Sequence, residues 1–238
     1  MTLVEFGRQC FRWRGLLMPV ALVLVLIPGP KLLAEPWVAA LIGFPIAVLG
    51  ELVRVATIGL DYIIRGGKGR QVYAERLVTR GFYNHTRNPM YFGNLLLLVG
   101  FAIGANSWLL LAIGVPLAVL VHVGIIAAEE DFLRTRFGAD YEDFCRRVPR
   151  LIPNLSGLGA TLNGMEFNWR RVVIKEFYAP LGWLSGLAII VALNEWRDGP
   201  QPEDPAVYTV VAAIVAWSLA LTVASRKLGG GVDPRGKS

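Results

Sequence analysis

The residues equipped for chemistry stand in two short stretches. His85, Arg87 and Asn88 lie within HTRNPMYFGN, residues 85 to 94, and the apolar run LLLLVGFAIG follows with Asn94 as its boundary. Glu129, Glu130 and Asp131 stand where a later apolar run ends. Hydrocarbon excludes such groups, so they either mark an interface or do chemistry beside it. Asn88 followed by Pro89 reads as a helix start, with Asn at the N-cap and Pro at the first helical position. The free N–H groups and positive dipole end there, together with Arg87 and Arg80, suit a carboxylate. The acidic trio has the opposite setting, a helix end where its charge meets an unfavourable dipole. Taken alone, it reads equally well as an exposed helix end or as the helix continuing into the cytoplasm. A tight hairpin over 90–128 returns both stretches to one face. Donors at one rim and carboxylates at the other are what a zwitterionic ligand needs. Phe82, Tyr83, Tyr91 and Phe92 add aromatic faces for cation–π contact, although such rings also form interfacial belts.

The elements that must position these groups are membrane helices. The 238-residue chain is 54% hydrophobic, with mean hydropathy +0.49, and its apolar runs are nearly unbroken. Six candidate spans cover about 15–33, 37–60, 90–104, 108–128, 172–193 and 206–224, most of them near the ~20 residues a bilayer crossing requires. The net charge of +6 invites a nucleic-acid partner, but its distribution argues otherwise. Basic residues gather at 8–14, 65–87, 134–175 and 226–237, whereas the alternate connections offer only Lys31 and Arg197. The positive-inside rule then places both termini in the cytoplasm. The expected fold is all-α: a polytopic membrane helical bundle of about six transmembrane helices with an interfacial cytoplasmic helical segment. The expected partner is the bilayer, with no nucleic acid, in a bacterial inner membrane. The expected divisions are an N-terminal hairpin with its cytoplasmic connection (1–70), a core (71–155), a C-terminal hairpin (156–228) and a disordered tail (229–238).

The interfacial segment is read from Leu133, Phe137, Tyr141, Phe144 and Val148, an apolar stripe with charges between. Gly138 is expected to interrupt it and VPRLIP to end it. Glu51 and Arg54, three residues apart, are expected to pair with one another, facing the bundle. His122 reads as a helix–helix hydrogen bond, GGKG at 66–69 as a turn, and Cys10 and Cys145 as free thiols. No cleavable signal peptide is expected. Zinc spacing, HExxH, GxSxG and a soluble-type dinucleotide loop are absent, and no metal is expected.

LVTRGFYNHTRNPMYFGN followed by EEDFLRTRFGADYEDFCRRVPRLIP resembles the isoprenylcysteine carboxyl methyltransferase and phospholipid methyltransferase superfamily, over about residues 72 to 153. The resemblance implies an integral-membrane enzyme that uses S-adenosylmethionine on a lipophilic or lipid substrate, with Arg87, Pro89 and Tyr91 in the first motif and Glu129 and Glu130 in the second. It implies that Arg87, Asn88, Pro89, Tyr91, Tyr83, Glu129 and Glu130 hold the cofactor. Asn88 follows the Asn-Pro-Met-Tyr of phospholipid methyltransferases, whereas FGADY leans toward the carboxyl methyltransferases, so the acceptor stays open. An amine or thiol acceptor must lose a proton, for which His85, Glu129 and Glu130 are the candidate catalytic groups. Two alternatives stand beside this reading: an NADPH-dependent sterol-reductase-like enzyme and a non-catalytic lipid-binding membrane protein. The last two spans extend past many relatives, and the oligomeric state is open.

Overall fold

The computed structural model describes residues 1–22, 24, 27, 29–61, 74, 76–176, 182–184 and 186. The expected spans at 172–193 (in most of its length) and 206–224, the turn at 66–69 and the tail at 229–238 lie outside them. Among the described residues the fold is helical, with no strand: α1 (Leu3–Leu22), α2 (Pro36–Leu60), α3 (Pro89–Gly104), α4 (Val115–Arg147), α5 (Leu158–Asn163) and α6 (Trp169–Glu176).

Helix α1 begins well before the apolar run that suggested a span from residue 15. A capping box sets the earlier start: the Glu5 N–H donates to Thr2 Oγ1, and the Thr2 N–H donates back to Glu5 Oε2. Helix α2 opens with Pro36, as a first-turn proline should. At 25 residues it is about 37 Å long at 1.5 Å per residue. It and the helix over Leu110–Arg147 are long and apolar enough to cross a membrane. Only a third of the α2 apolar window is buried, and Trp37, Leu41, Phe44, Leu49 and Leu52 are exposed. A helix in the core of a soluble protein would hide such residues. Here they form the outward face that lipid solvates.

Helices α2 and α3 lie backbone against backbone. A Cβ added to Gly43 would overlap the α3 backbone at Gly100 and Gly104, and one on Gly100 would overlap Ala47 and Gly43. This close approach is the small-residue packing that membrane helices use in place of hydrophobic attraction. The turn between α3 and α4 is tied by Asn106, at φ 52°. Its Oδ1 accepts from the Leu32 and Leu33 N–H groups, and its Nδ2 donates to the Leu33 carbonyl. One π turn, Leu110–Gly114, leads into α4 beside Pro116, which has no N–H to donate.

Helix α4 does not end at residue 128. It runs to Arg147 through a kink at Gly138 (φ 49°, ψ −121°), the expected interruption, and stops before Pro149. The apolar stripe was read as suited to lying along the membrane face. Instead Leu133, Tyr141, Phe144 and Val148 pack against Ala74, Val78 and Tyr83, a cover from far away in sequence.

The expected Glu51–Arg54 pair is present, but it is not the closest partnership Arg54 makes. Those groups are 3.9 Å apart, while Arg54 binds Glu176 of α6 more closely and reaches Asn94 of α3. Trp183 Nε1 donates to Glu51 Oε2. Helix α6 also closes the end of α2, where carbonyls lack helical partners. The Asn168 N–H donates to the Gly59 carbonyl and Arg171 to the Ile58 carbonyl.

Candidate functional site

The three acids of Glu129-Glu130-Asp131 meet three different fates. Successive helical residues turn by about 100°, so on a helix packed inside the bundle the three point to different surroundings. Glu129 and Glu130 are buried, and Asp131 is partly exposed in a pair with Arg8 at 2.8 Å. None of the three therefore forms a helix end, and only Asp131, partly exposed inside α4, faces outward.

Glu129 accepts a hydrogen bond from the Tyr91 hydroxyl at 2.8 Å, joining α4 to the first turn of α3. The Tyr91 ring stands edge-on to His122, 5.3 Å between centroids. His122 makes its own hydrogen bond within α4, to the Ala118 carbonyl, rather than across helices. Glu130 is held by two guanidinium groups. Arg87 Nη1 lies 3.2 Å from Oε1, and Arg150 Nη2 lies 3.0 Å from Oε2. Arg87 also reaches Cys145 Sγ, yet its Nε is buried without a partner. An N–H left buried and unpaired is costly, and a ligand oxygen would relieve it. Burial raises the Tyr141 phenol pKa, with Glu130 and Cys145 adding and Arg87 opposing, so this ring stays a neutral wall.

The loop that presents Arg87 is laced to the segment after α4. The Arg87 N–H donates to the Pro149 carbonyl, Asn88 Nδ2 to the Arg150 carbonyl and Thr86 Oγ1 to the Leu151 carbonyl. The Asn154 N–H donates to the His85 carbonyl. Asn88 therefore occupies the N-cap position of α3, but its side chain does not cap that helix. It fastens Arg150 instead. Both His85 nitrogens are engaged, Nδ1 with the Asn154 carbonyl and Nε2 with Thr161 Oγ1. A carbonyl only accepts, so Nδ1 carries a proton, and in the neutral ring the Thr161 hydroxyl donates to Nε2. His85 is thereby occupied in holding the loop to α5. Tyr83 is buried in the apolar cluster under α4, and Pro89 starts α3. Arg80 stands apart from Arg87, lining a separate cavity.

Arg150 was missed in the sequence reading. Its only signal was position, a cation inside VPRLIP, and nothing in the spacing shows that this segment returns to Arg87. Among the described residues no group of His, Cys, Asp and Glu could hold a metal.

Comparison with known proteins agrees with the resemblance seen in the motifs. Residues 38–140 match the family of phospholipid methyltransferases. Protein-S-isoprenylcysteine O-methyltransferase B of Arabidopsis thaliana is 30% identical over 139 residues, 55% of this chain and 66% of its own. The nickel-cobalt-cadmium resistance protein NccN of Alcaligenes xylosoxydans xylosoxydans is 31% identical over 138 residues, 58% of this chain and 62% of that one. The cobalt-zinc-cadmium resistance protein CzcN of Cupriavidus metallidurans is 29% identical over 158 residues, 65% and 68% of the two chains. The chain thus spans about three fifths to two thirds of these relatives. No solved structure matches it.

Proposed function

We propose, from the match of residues 38–140 to the phospholipid methyltransferase family, that the chain moves a methyl group from S-adenosylmethionine to a lipophilic acceptor. The acceptor is a phospholipid amine, or the carboxylate or thiol of an isoprenoid-like molecule. The observation that carries the reading is the unpaired Arg87 Nε in a cluster where two guanidinium groups face Glu130. The methyl donor's amino-acid end is a zwitterion, and this donor set fits it. Arg87 would take the carboxylate, and Glu129, held by Tyr91, the ammonium. Asn88, Pro89 and Tyr83 would shape the loop that presents Arg87, with Arg150 steadying Glu130.

When bound, the sulfonium supplies a methyl group already activated for displacement. The chain's task is then to orient the two partners and exclude water. A carboxylate acceptor needs no base. With Glu129 on the ammonium, Glu130 gripped by two cations and His85 occupied by Asn154 and Thr161, an amine or thiol would bind already deprotonated. We assign His85 a positioning role.

The topology that goes with this reading has six spans and both termini in the cytoplasm of a bacterial cell, the site facing inward. Residues 71–155 form the methyltransferase core, flanked by hairpins at 1–70 and 156–228, with a tail at 229–238. The test uses purified full-length protein, labelled methyl donor and a total lipid extract. A lipid species should gain label, and Arg87→Ala and Glu129→Ala should each weaken S-adenosylhomocysteine binding in calorimetry. Unchanged binding in both variants would sink the site. Salt-sensitive lipid binding with no cofactor affinity would favour a non-catalytic lipid binder.

A further inference from the structure

Behind His85 lies a cavity that the donor site does not use. It is open to the surface, with a volume of about 340 Å³, within the size range of ligand pockets. Thr79, Arg80, Gly81 and Asn84 line one side, and Thr161 and Gly164 line the other, at α5. The lining offers the Thr79 hydroxyl, the Asn84 amide and the Arg80 guanidinium as donors, beside Ala160 and Met165, and no carboxylate; the Thr161 proton is spent on His85. Asp61 is nearby but is engaged by Arg76 at 2.8 Å, and Arg80 has no carboxylate partner among the described residues. An open, solvent-facing pocket with an exposed cation and two neutral donors favours an anion over a cation.

Its position narrows the choice. Gly81, at φ 61°, lets the lining turn press on Leu60 and Asp61, where the span of α2 ends. That is the depth of lipid headgroups, where basic pockets meet phosphate. Thr161 is fixed on the far wall by its bond to His85, which gives this buried histidine a purpose. We propose that the cavity is the acceptor's anion subsite, in which Arg80, with Thr79 and Asn84, takes the phosphate of a glycerophospholipid headgroup. The proposal rests on the lipid-methyltransferase reading, and its test does not need turnover.

Full-length protein in neutral detergent is titrated with short-chain phosphatidylethanolamine, diacylglycerol and a farnesylated cysteine, binding being read by native mass spectrometry. The phospholipid should bind above the other two. Arg80→Gln should weaken it by about tenfold or more, the loss of one charge-assisted contact, and Arg80→Lys should restore part. S-adenosylhomocysteine affinity should not change in either variant. Preference for the farnesylated cysteine would overturn the phosphate assignment in favour of a carboxylate. Equal phospholipid affinity in Arg80→Gln, or a loss of S-adenosylhomocysteine binding instead, would overturn the subsite itself. Absence of methyl transfer to any lipid would count against the enzymatic reading while leaving these affinities measurable.

Discussion

Two buried charge clusters in this chain are built on opposite arithmetic. Around Glu130, two guanidinium groups face one carboxylate. Around Arg54, two carboxylates, Glu51 and Glu176, face one guanidinium. Each leaves one atom buried and unpartnered: a donor, Arg87 Nε, in the first and an acceptor, Glu51 Oε1, in the second. The first cluster opens to the surface through Arg150, whose side chain is 41% exposed, and the second is closed, with Arg54 at 15%. A spare donor with an outlet suits a ligand. A spare acceptor sealed among α2, α3 and α6 suits docking, because groups so placed bind one arrangement of helices and penalise others. The same chemistry thus serves recognition in one place and assembly in the other.

That contrast can be broken from either side. Arg54→Met should have the largest effect. It strands two carboxylates together, and removing one partner of a buried pair costs about 3–5 kcal/mol. Thermal unfolding in detergent reads the loss, and adding Glu51→Gln and Glu176→Gln should recover much of it. A melting temperature equal to the parent's would show that this cluster does not dock α6. Arg87→Gln should come next, and in a different readout. Charge-assisted hydrogen bonds contribute about 1.5–3 kcal/mol, so S-adenosylhomocysteine should bind roughly ten- to a hundredfold more weakly, while folded Arg54→Met keeps its affinity. Equal losses in the two variants would erase the distinction drawn here.

Smaller changes sharpen it further. Tyr91→Phe removes one hydrogen bond to Glu129, a loss of about 1 kcal/mol, and should weaken cofactor binding several-fold with little change in melting. Should binding hold steady, Glu129 needs no such support. Asp131→Asn should do least. Its pair with Arg8 is exposed on both sides (63% and 45%), and such pairs contribute about 0–1 kcal/mol. A marked loss of binding in Asp131→Asn would mean that the acidic trio acts as a unit after all.

Much of the site was legible, residue by residue, because local rules govern it. Asn88-Pro89 announced a helix start, Gly138 an interruption and Pro149 an end, and the structure has all three. The motifs pointed to a family that the comparison of residues 38–140 supports. Less legible was what each polar side chain does once placed. Asn88 stands at the expected N-cap position, yet its side chain fastens Arg150; His85, one of three candidate bases, bridges Asn154 and Thr161. These roles depend on partners more than 60 residues away, which no spacing rule reports.

The sequence by itself determined helical elements, their apolar outward faces and the chemical types gathered at residues 85–94 and 129–131. Periodicity, capping and hydropathy act over a few residues and are written into neighbours. Only the tertiary structure decided which acid meets which base: Glu129 with Tyr91, Glu130 with Arg87 and Arg150, Asp131 with Arg8, and Arg54 with Glu176 rather than chiefly with Glu51. Charge pairing is set by distance in space, and that distance follows from how closely the glycine faces of α2 and α3 pack and where the kink in α4 turns the chain back.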